Sequence, residues 1–210
     1  MAEEKKQAAQ AAKPQQAAAK GTGGRKTVDK WKKKKWYTML ASRIFDKKPV
    51  AETPAEKPKN LMGRTIRVTM DILTGQRARR DYTITFKVND IQGQTASTRV
   101  SAFEVSRGVL GRTIRRRNSK ASLVQSVPVI GGEARSTIVV VTERKATRKQ
   151  ESSIRKLIKD EYAKLAGKDF EDLVQELLMG EFSNELGKKA SKVCLIKRVI
   201  VAKSVFSETK

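Results

Sequence analysis

The chain has 210 residues, with 46 Lys and Arg against 22 Asp and Glu and a formal net charge of +24. A charge of that size opposes compaction by self-repulsion unless a polyanion lies alongside, and each Lys or Arg that meets a phosphate releases condensed counterions. His is absent and Cys194 is the single cysteine, which removes imidazole bases, Cys/His nucleophile pairs, Cys/His zinc sites and any internal disulfide. No apolar run approaches the ~18 residues of a spanning helix, and the first residues lack the apolar core of a signal peptide. A soluble, intracellular protein with no membrane partner is expected.

Residues 1–27 are Ala, Gln, Lys and Gly with almost no large apolar side chain. They cannot bury enough surface to offset their ordering entropy, so a mobile basic tail is expected. Gly21-Thr22-Gly23-Gly24-Arg25-Lys26-Thr27 has a superficial phosphate-loop look, but it lacks the Gly directly before Lys that a Walker loop needs. Next stands Lys30-Trp31-Lys32-Lys33-Lys34-Lys35-Trp36-Tyr37, followed by a stretch with Pro49, Pro54 and Pro58 that reads as an extended connector.

From Gly63 the pattern becomes periodic. Ile66, Val68, Met70 and Ile72 alternate with polar residues, as do Tyr82, Ile84, Phe86 and Val88, and each run predicts a strand with one buried face. A third strand is expected over about 95–103, and a weak helix, holding Gly108 and Gly111, over 104–118. Ser122–Ile130 and Ala134–Thr142 read as strands around Gly131-Gly132, the second being a β-branched central strand. Ile154, Leu157, Ile158, Tyr162 and Leu165 follow the helical period and stop at Gly167. Asp169 could cap a second helix carrying Phe170, Leu173, Val174, Leu177 and Leu178, and a short third segment runs from Glu181 to about Ser191. Val193–Ala202 reads as a late strand. The expected fold is α+β: an antiparallel β-barrel-like core, helices packed to one side, and a basic N-terminal extension. The expected division is a tail (1–27), an aromatic-basic RNA-binding extension and linker (28–60), a core domain (61–205) and a C-terminal tail (206–210).

Three clusters point to RNA. Lys30, Lys32, Lys33, Lys34 and Lys35 bring five cations next to Trp31, Trp36 and Tyr37, whose flat faces can stack on bases or pack under riboses. The competing reading makes the aromatics core anchors and the lysines a solvated face, with one ring anchoring the box to the domain as an intermediate case. Arg112, Arg115, Arg116, Arg117 and Lys120, with Asn118 and Ser119 between them, offer planar forks that bind two phosphate oxygens at once. Arg144, Lys145, Arg148, Lys149, Arg155 and Lys156 span a strand end, a loop and a helix start, where cations oppose the helix dipole unless phosphate is bound. Lys188, Lys189, Lys192, Lys197 and Arg198 form a weaker fourth group. By contrast, eight acids between Asp160 and Glu185 face only Lys164 and Lys168 along the sequence, which suggests a surface turned away from RNA, toward a basic partner or solvent. Their spacing is that of ordinary helix-surface acids, so neither catalysis, nor a metal, nor a cofactor, nor a small-molecule substrate is expected.

With these residues laid out, the chain resembles the S-three-a family of small-subunit ribosomal proteins of archaea and eukaryotes. The resemblance begins at Asp29-Lys30-Trp31-Lys32-Lys33-Lys34-Lys35-Trp36-Tyr37 and continues with Gly63-Arg64 opening the first core strand. Arg115-Arg116-Arg117-Asn118-Ser119-Lys120 is similar to the family's basic stretch, Ser153-Ile154-Arg155-Lys156-Leu157 to its helix start, and Phe170-Glu171-Asp172-Leu173 through Gly180, then Asn184-Glu185-Leu186, to its acidic segment. The collinear order over roughly residues 28–205, rather than any one motif, carries the likeness. Ser191-Lys192-Val193-Cys194-Leu195 departs from the family's Tyr-Pro-Leu-type sequence. The resemblance implies a scaffold on the subunit platform. It also implies contacts to small-subunit ribosomal RNA near its 3′ end, Arg64 among them, to neighbouring ribosomal proteins, and to messenger RNA near its exit as a further candidate. A free nucleic-acid binder and an RNA-acting, Mg²⁺-dependent enzyme are the rival classes.

Overall fold

A computed structural model describes residues 30–208. The expected tail over 1–27 lies outside the described residues. The chain divides into Met1–Lys33, of which Lys30–Lys33 form one 3₁₀ turn, and Lys34–Lys210, which holds the sheet and helices.

The second unit opens with a hairpin, β1 (Lys35–Leu40) and β2 (Pro49–Ala55), in register from Lys35 opposite Ala55 to Leu40 opposite Pro49. The stretch with Pro49 and Pro54 is therefore extended as expected, but it is paired rather than a free connector, and Pro58 opens a 3₁₀ turn (Pro58–Asn60). β3 (Thr65–Thr69), β4 (Tyr82–Gln92) and β5 (Thr95–Val105) form an antiparallel meander. The first alternating run does not stay a strand to Ile72. It turns into the short helix α1 (Met70–Thr74), which buries Met70 and Leu73 and leaves Ile72 at the surface. Three positions apart suits one helical face, so burying Met70 and Leu73 together overrides the period of two. α2 (Arg107–Thr113) follows β5 directly.

β6 (Lys120–Val129) and β7 (Gly132–Thr142) form the expected hairpin, with Gly131 at φ +85° in the turn. At Gly132 a Cβ would stand 2.2 Å from the Ser207 carbonyl oxygen, so only glycine allows this approach. α3 (Arg148–Ala163) starts at Thr147, whose hydroxyl accepts from the Gln150 backbone while the Gln150 side chain accepts from the Thr147 backbone. α4 (Phe170–Met179) and α5 (Glu181–Ala190) meet at Gly180, φ +89°. β8 (Ile196–Glu208) closes the chain, and its last residue pairs with Gly132.

β5 organises the sheet. One of its edges carries β4; the other is shared, β1 lying parallel to Thr95–Ser97 and β8 antiparallel to Ala102–Glu104. The resulting order is β2-β1-β5-β8-β7-β6, with β4 and β3 branching from β5. The fold is α+β as expected, but the sheet is open and one of its pairings is parallel. No pairing among the described residues joins β3 to β2 or β6, because two groups of strands share one edge of β5 and the ladder splits instead of closing.

Ile138 and Val140 of β7 join Ile154, Ile158, Leu173, Val174 and Leu186 in the main core, so α3, α4 and α5 cover that face. Beneath α3 a fully buried hydroxyl chain links Tyr162 to Ser136 at 2.6 Å and Ser136 to Ser204 at 2.7 Å. Helices on one side only is a correction to make: Val139, Val141 and Ala202 point the other way and pack on Leu110 of α2 and on Ile114. Alternation along a strand gives a central strand two apolar faces, and the second one needs a cover as well.

Candidate nucleic-acid interface

Arg112 sits on the last turn of α2, exposed, 3.7 Å from Asp81. The chain then turns through Arg115, Arg116 and Arg117, and the turn is closed by the Asn118 backbone N–H donating to the Arg115 carbonyl at 3.0 Å. All three arginines are exposed, and among the described residues none is ion-paired to a carboxylate. Asn118 is half-buried against the loop.

Ser119 then anchors the loop. Its N–H donates to Thr142 Oγ1 at 3.0 Å, its carbonyl accepts from the Thr142 N–H at 3.0 Å, and its hydroxyl accepts from the Ala146 N–H at 3.1 Å. Thr142 Oγ1 donates to the Arg144 carbonyl at 2.6 Å. These bonds bring the second and third sequence clusters together. Ser119, two residues past Arg117, is thereby tied to the loop that carries Arg144 and Lys145 and leads into α3 with Arg148 and Lys149, all exposed. Lys120 and Arg198 stand across Val141 in register, both exposed. A cleft of about 450 Å³ is lined by Arg115, Arg116, Arg117, Asn118, Glu143 and Lys197. Further along α3, Arg155 is tied to Glu151 at 3.2 Å, while Lys156 is exposed.

Lys35, Trp36 and Tyr37 of β1 are not part of this surface. Trp36 precedes the level at which Thr38 pairs with Thr95, the start of β5, whereas α2 follows the end of β5. Eleven residues of strand put Trp36 and α2 on the order of 35 Å apart. Within the box, Lys35 and Trp36 on β1 are exposed, Trp36 by 58 %. Tyr37 is a correction: it points to the other side of β1, is 4 % exposed, and packs with Ala55 and Leu61. Its ring is the anchor and has no face left for a base. Lys30 to Lys33 belong to the 3₁₀ turn of the first unit, where Trp31, Lys32 and Lys33 are exposed; Lys34 begins the second unit and is exposed too. Arg64 is half-buried. Its Nη1 donates to Thr53 Oγ1 at 2.8 Å and its Nε to the Asn60 carbonyl at 3.0 Å, so the guanidinium braces β2.

The acidic region has more cations opposite it than its own stretch of sequence showed. Asp169 occupies the N-cap position of α4 without making a cap hydrogen bond. Arg43, from the β1–β2 connection, lies 3.5 Å from Asp169, 3.7 Å from Glu171 and 3.3 Å from Asp172. Glu161 bridges α3 to α5 by accepting from Lys164 at 2.8 Å and Lys189 at 2.6 Å, and these two ammonium groups hold its carboxyl below the usual range. Asp160, Glu181 and Glu185 are exposed. No group of three or more acids or cysteines among the described residues is placed to hold a metal ion.

Residues 22–209 match the model of the Ribosomal S3Ae family. The chain belongs to that family. It is 33 % identical over 178 residues to the small ribosomal subunit protein eS1 of Desulfurococcus amylolyticus, covering 84 % of each chain. It is 30 % identical over 188 residues to the protein of that name from Methanobrevibacter smithii, covering 89 % of this chain and 97 % of the relative. Against the Staphylothermus marinus protein of the same name the identity is 32 % over 179 residues.

In this family member, Lys197 and Arg198 are the residues that sequence reasoning underrated. They group in sequence with Lys188, Lys189 and Lys192, yet Lys189 is spent on Glu161 while Lys197 lines the cleft of the Arg115 loop and Arg198 a cleft with Arg112. About 80 positions of sequence separate them from that loop, and only the pairing of β8 with β7 shows the adjacency.

Proposed function

We propose that this chain is a structural constituent of the small ribosomal subunit in the cytoplasm. It binds small-subunit ribosomal RNA through the surface built by the Arg115–Arg117 loop, the Arg144–Lys149 loop and Lys120, with Lys30–Trp36 as a further contact. The observation that carries this reading is the joining of two sequence-distant basic clusters by the Ser119–Thr142–Ala146 hydrogen bonds. Assembling so many cations costs repulsion, which phosphates remove. Family membership supports the ribosomal setting, as do relatives named as small ribosomal subunit proteins.

The contacts are mainly to phosphate and ribose, chosen by RNA shape. The site is the subunit platform near the RNA's 3′ end and the messenger RNA exit, the position implied by the resemblance, with neighbouring ribosomal proteins around it and messenger RNA within reach. The chain works as a scaffold and catalyses no reaction. Sedimentation of a cell lysate on a sucrose gradient, with and without high salt and ribonuclease, tests this. Cosedimentation with the small subunit, lost only on RNA cleavage or at high salt, is the expected result. Sedimentation at the top of the gradient or with DNA would replace it with a free nucleic-acid binder.

A further inference from the structure

Three clefts share lining residues beside the first half of β8. The first, about 420 Å³, lies between the α4–α5 turn and β8, with Tyr82, Ser183, Asn184 and Ser191 on its walls and Lys197 and Arg198 at its rim. The second, about 300 Å³, is bounded by Asp81, Arg112 and the same Lys197 and Arg198. The third is the cleft of the Arg115–Arg117 loop, which again includes Lys197. Lys197 therefore touches all three, and Arg198 two.

The strand edge explains why this trough exists. β8 pairs with β7 from Ile196 to Glu208, but β5 reaches only Lys203–Val205 before the chain leaves into α2. Residues 196–201 of β8 thus have one edge with no described strand beside it, and this edge forms part of the trough wall. Backbone donors on a free edge, hydroxyl and amide side chains, and a line of cations opposed by only Asp81 and Glu143 suit an extended polyanion.

We propose that this trough holds a single-stranded segment of RNA, with Lys197 and Arg198 as the phosphate contacts at its centre. The inference rests on the RNA reading above and specifies the form of RNA at that site. An A-form duplex is bound across its wide minor groove by protruding loops, and its stacked bases cannot follow a trough walled by a strand edge and two helical segments. A single strand can bend along it, phosphates to the cations, with Tyr82 the one aromatic ring in the lining.

The test uses the full chain and two labelled probes, a 12-nucleotide oligouridylate and a 12-base-pair RNA duplex, titrated at several salt concentrations. Lys197→Ala with Arg198→Ala is expected to weaken oligouridylate binding by about tenfold and to lower the salt slope by ~1.4, two phosphates at ~0.7 each. Duplex affinity should stay within about twofold, and Lys197→Arg alone should behave as wild type. Both side chains are exposed, so thermal melting should show the fold unchanged. Unchanged oligouridylate binding, or an equal loss on both probes, overturns the inference. If Arg115→Ala, Arg116→Ala and Arg117→Ala together still weaken RNA binding in that case, the RNA reading stands without it. If the wild-type chain binds neither probe, both fall.

Discussion

Replacing Arg115, Arg116 and Arg117 together with Ala gives the sharpest test of the interface. All three guanidinium groups are exposed and none is ion-paired to a carboxylate among the described residues, so each is available to a phosphate. If each neutralises one phosphate, the slope of log affinity against log salt should fall by ~2–3 in magnitude, at ~0.7–0.9 per contact. Between 50 and 200 mM salt the wild-type chain should then lose about 20-fold or more in affinity beyond what the variant loses. Binding of a small-subunit ribosomal RNA fragment, followed by anisotropy across that range, measures this directly. Stability should stay within ~0.5 kcal/mol, because exposed side chains without partners are removed. Arg43→Ala is the control for charge alone: it takes away one charge, against three in the triple variant, from an arginine already held by Asp169, Glu171 and Asp172, so it should leave the slope alone. A slope unchanged in the triple variant, or lowered by Arg43→Ala by as much per charge removed, would show that net charge and not this loop drives binding.

Trp36 and Tyr37 should behave in opposite ways: Tyr37→Ala should cost about 3–5 kcal/mol in chemical denaturation, whereas Trp36→Ala should leave stability nearly unchanged and weaken RNA binding by about 1–3 kcal/mol. The reverse order would make Trp36 the anchor. Tyr162→Phe should cost about 1–2 kcal/mol, since it breaks the buried bond to Ser136 while leaving Ser136 bonded to Ser204. Ser136→Ala should cost more, because it strands two hydroxyls, and equal melting temperatures for the two variants would argue against a connected chain. Glu161 has a lowered folded pKa, so its stabilisation is full above its ordinary value of 4.5 and fades as pH falls through the folded value. With partners 63 % and 42 % exposed, the gap between wild type and Glu161→Gln should be below ~1 kcal/mol at pH 7 and should close in acid; a gap that widens as pH falls would contradict this ion pair.

Much of this protein was legible along the chain. Period-two runs and glycine turns located β4 to β7, and the spacing of Ile154, Ile158 and Tyr162 located α3, because backbone geometry alone dictates which residues share a face. Zero His, one Cys and a charge of +24 pointed to a polyanion partner and away from most catalysis, and the collinear motifs pointed to the family. The assignments that failed depended on contacts between distant segments. Tyr37 and Trp36 are adjacent and chemically alike, but alternation along β1 sends one ring into a pocket made by Ala55 and Leu61 and the other to solvent. Arg64 and Arg115 look equivalent in sequence, yet the first also bonds Thr53 and the Asn60 carbonyl, while among the described residues the second has no such side-chain bond. Local sequence sets the charge and the face of each element. Which charges are spent inside the fold, and which gather into one surface, was decided only when β8 paired with β7 and so placed Lys197 beside a loop about 80 residues earlier in the chain.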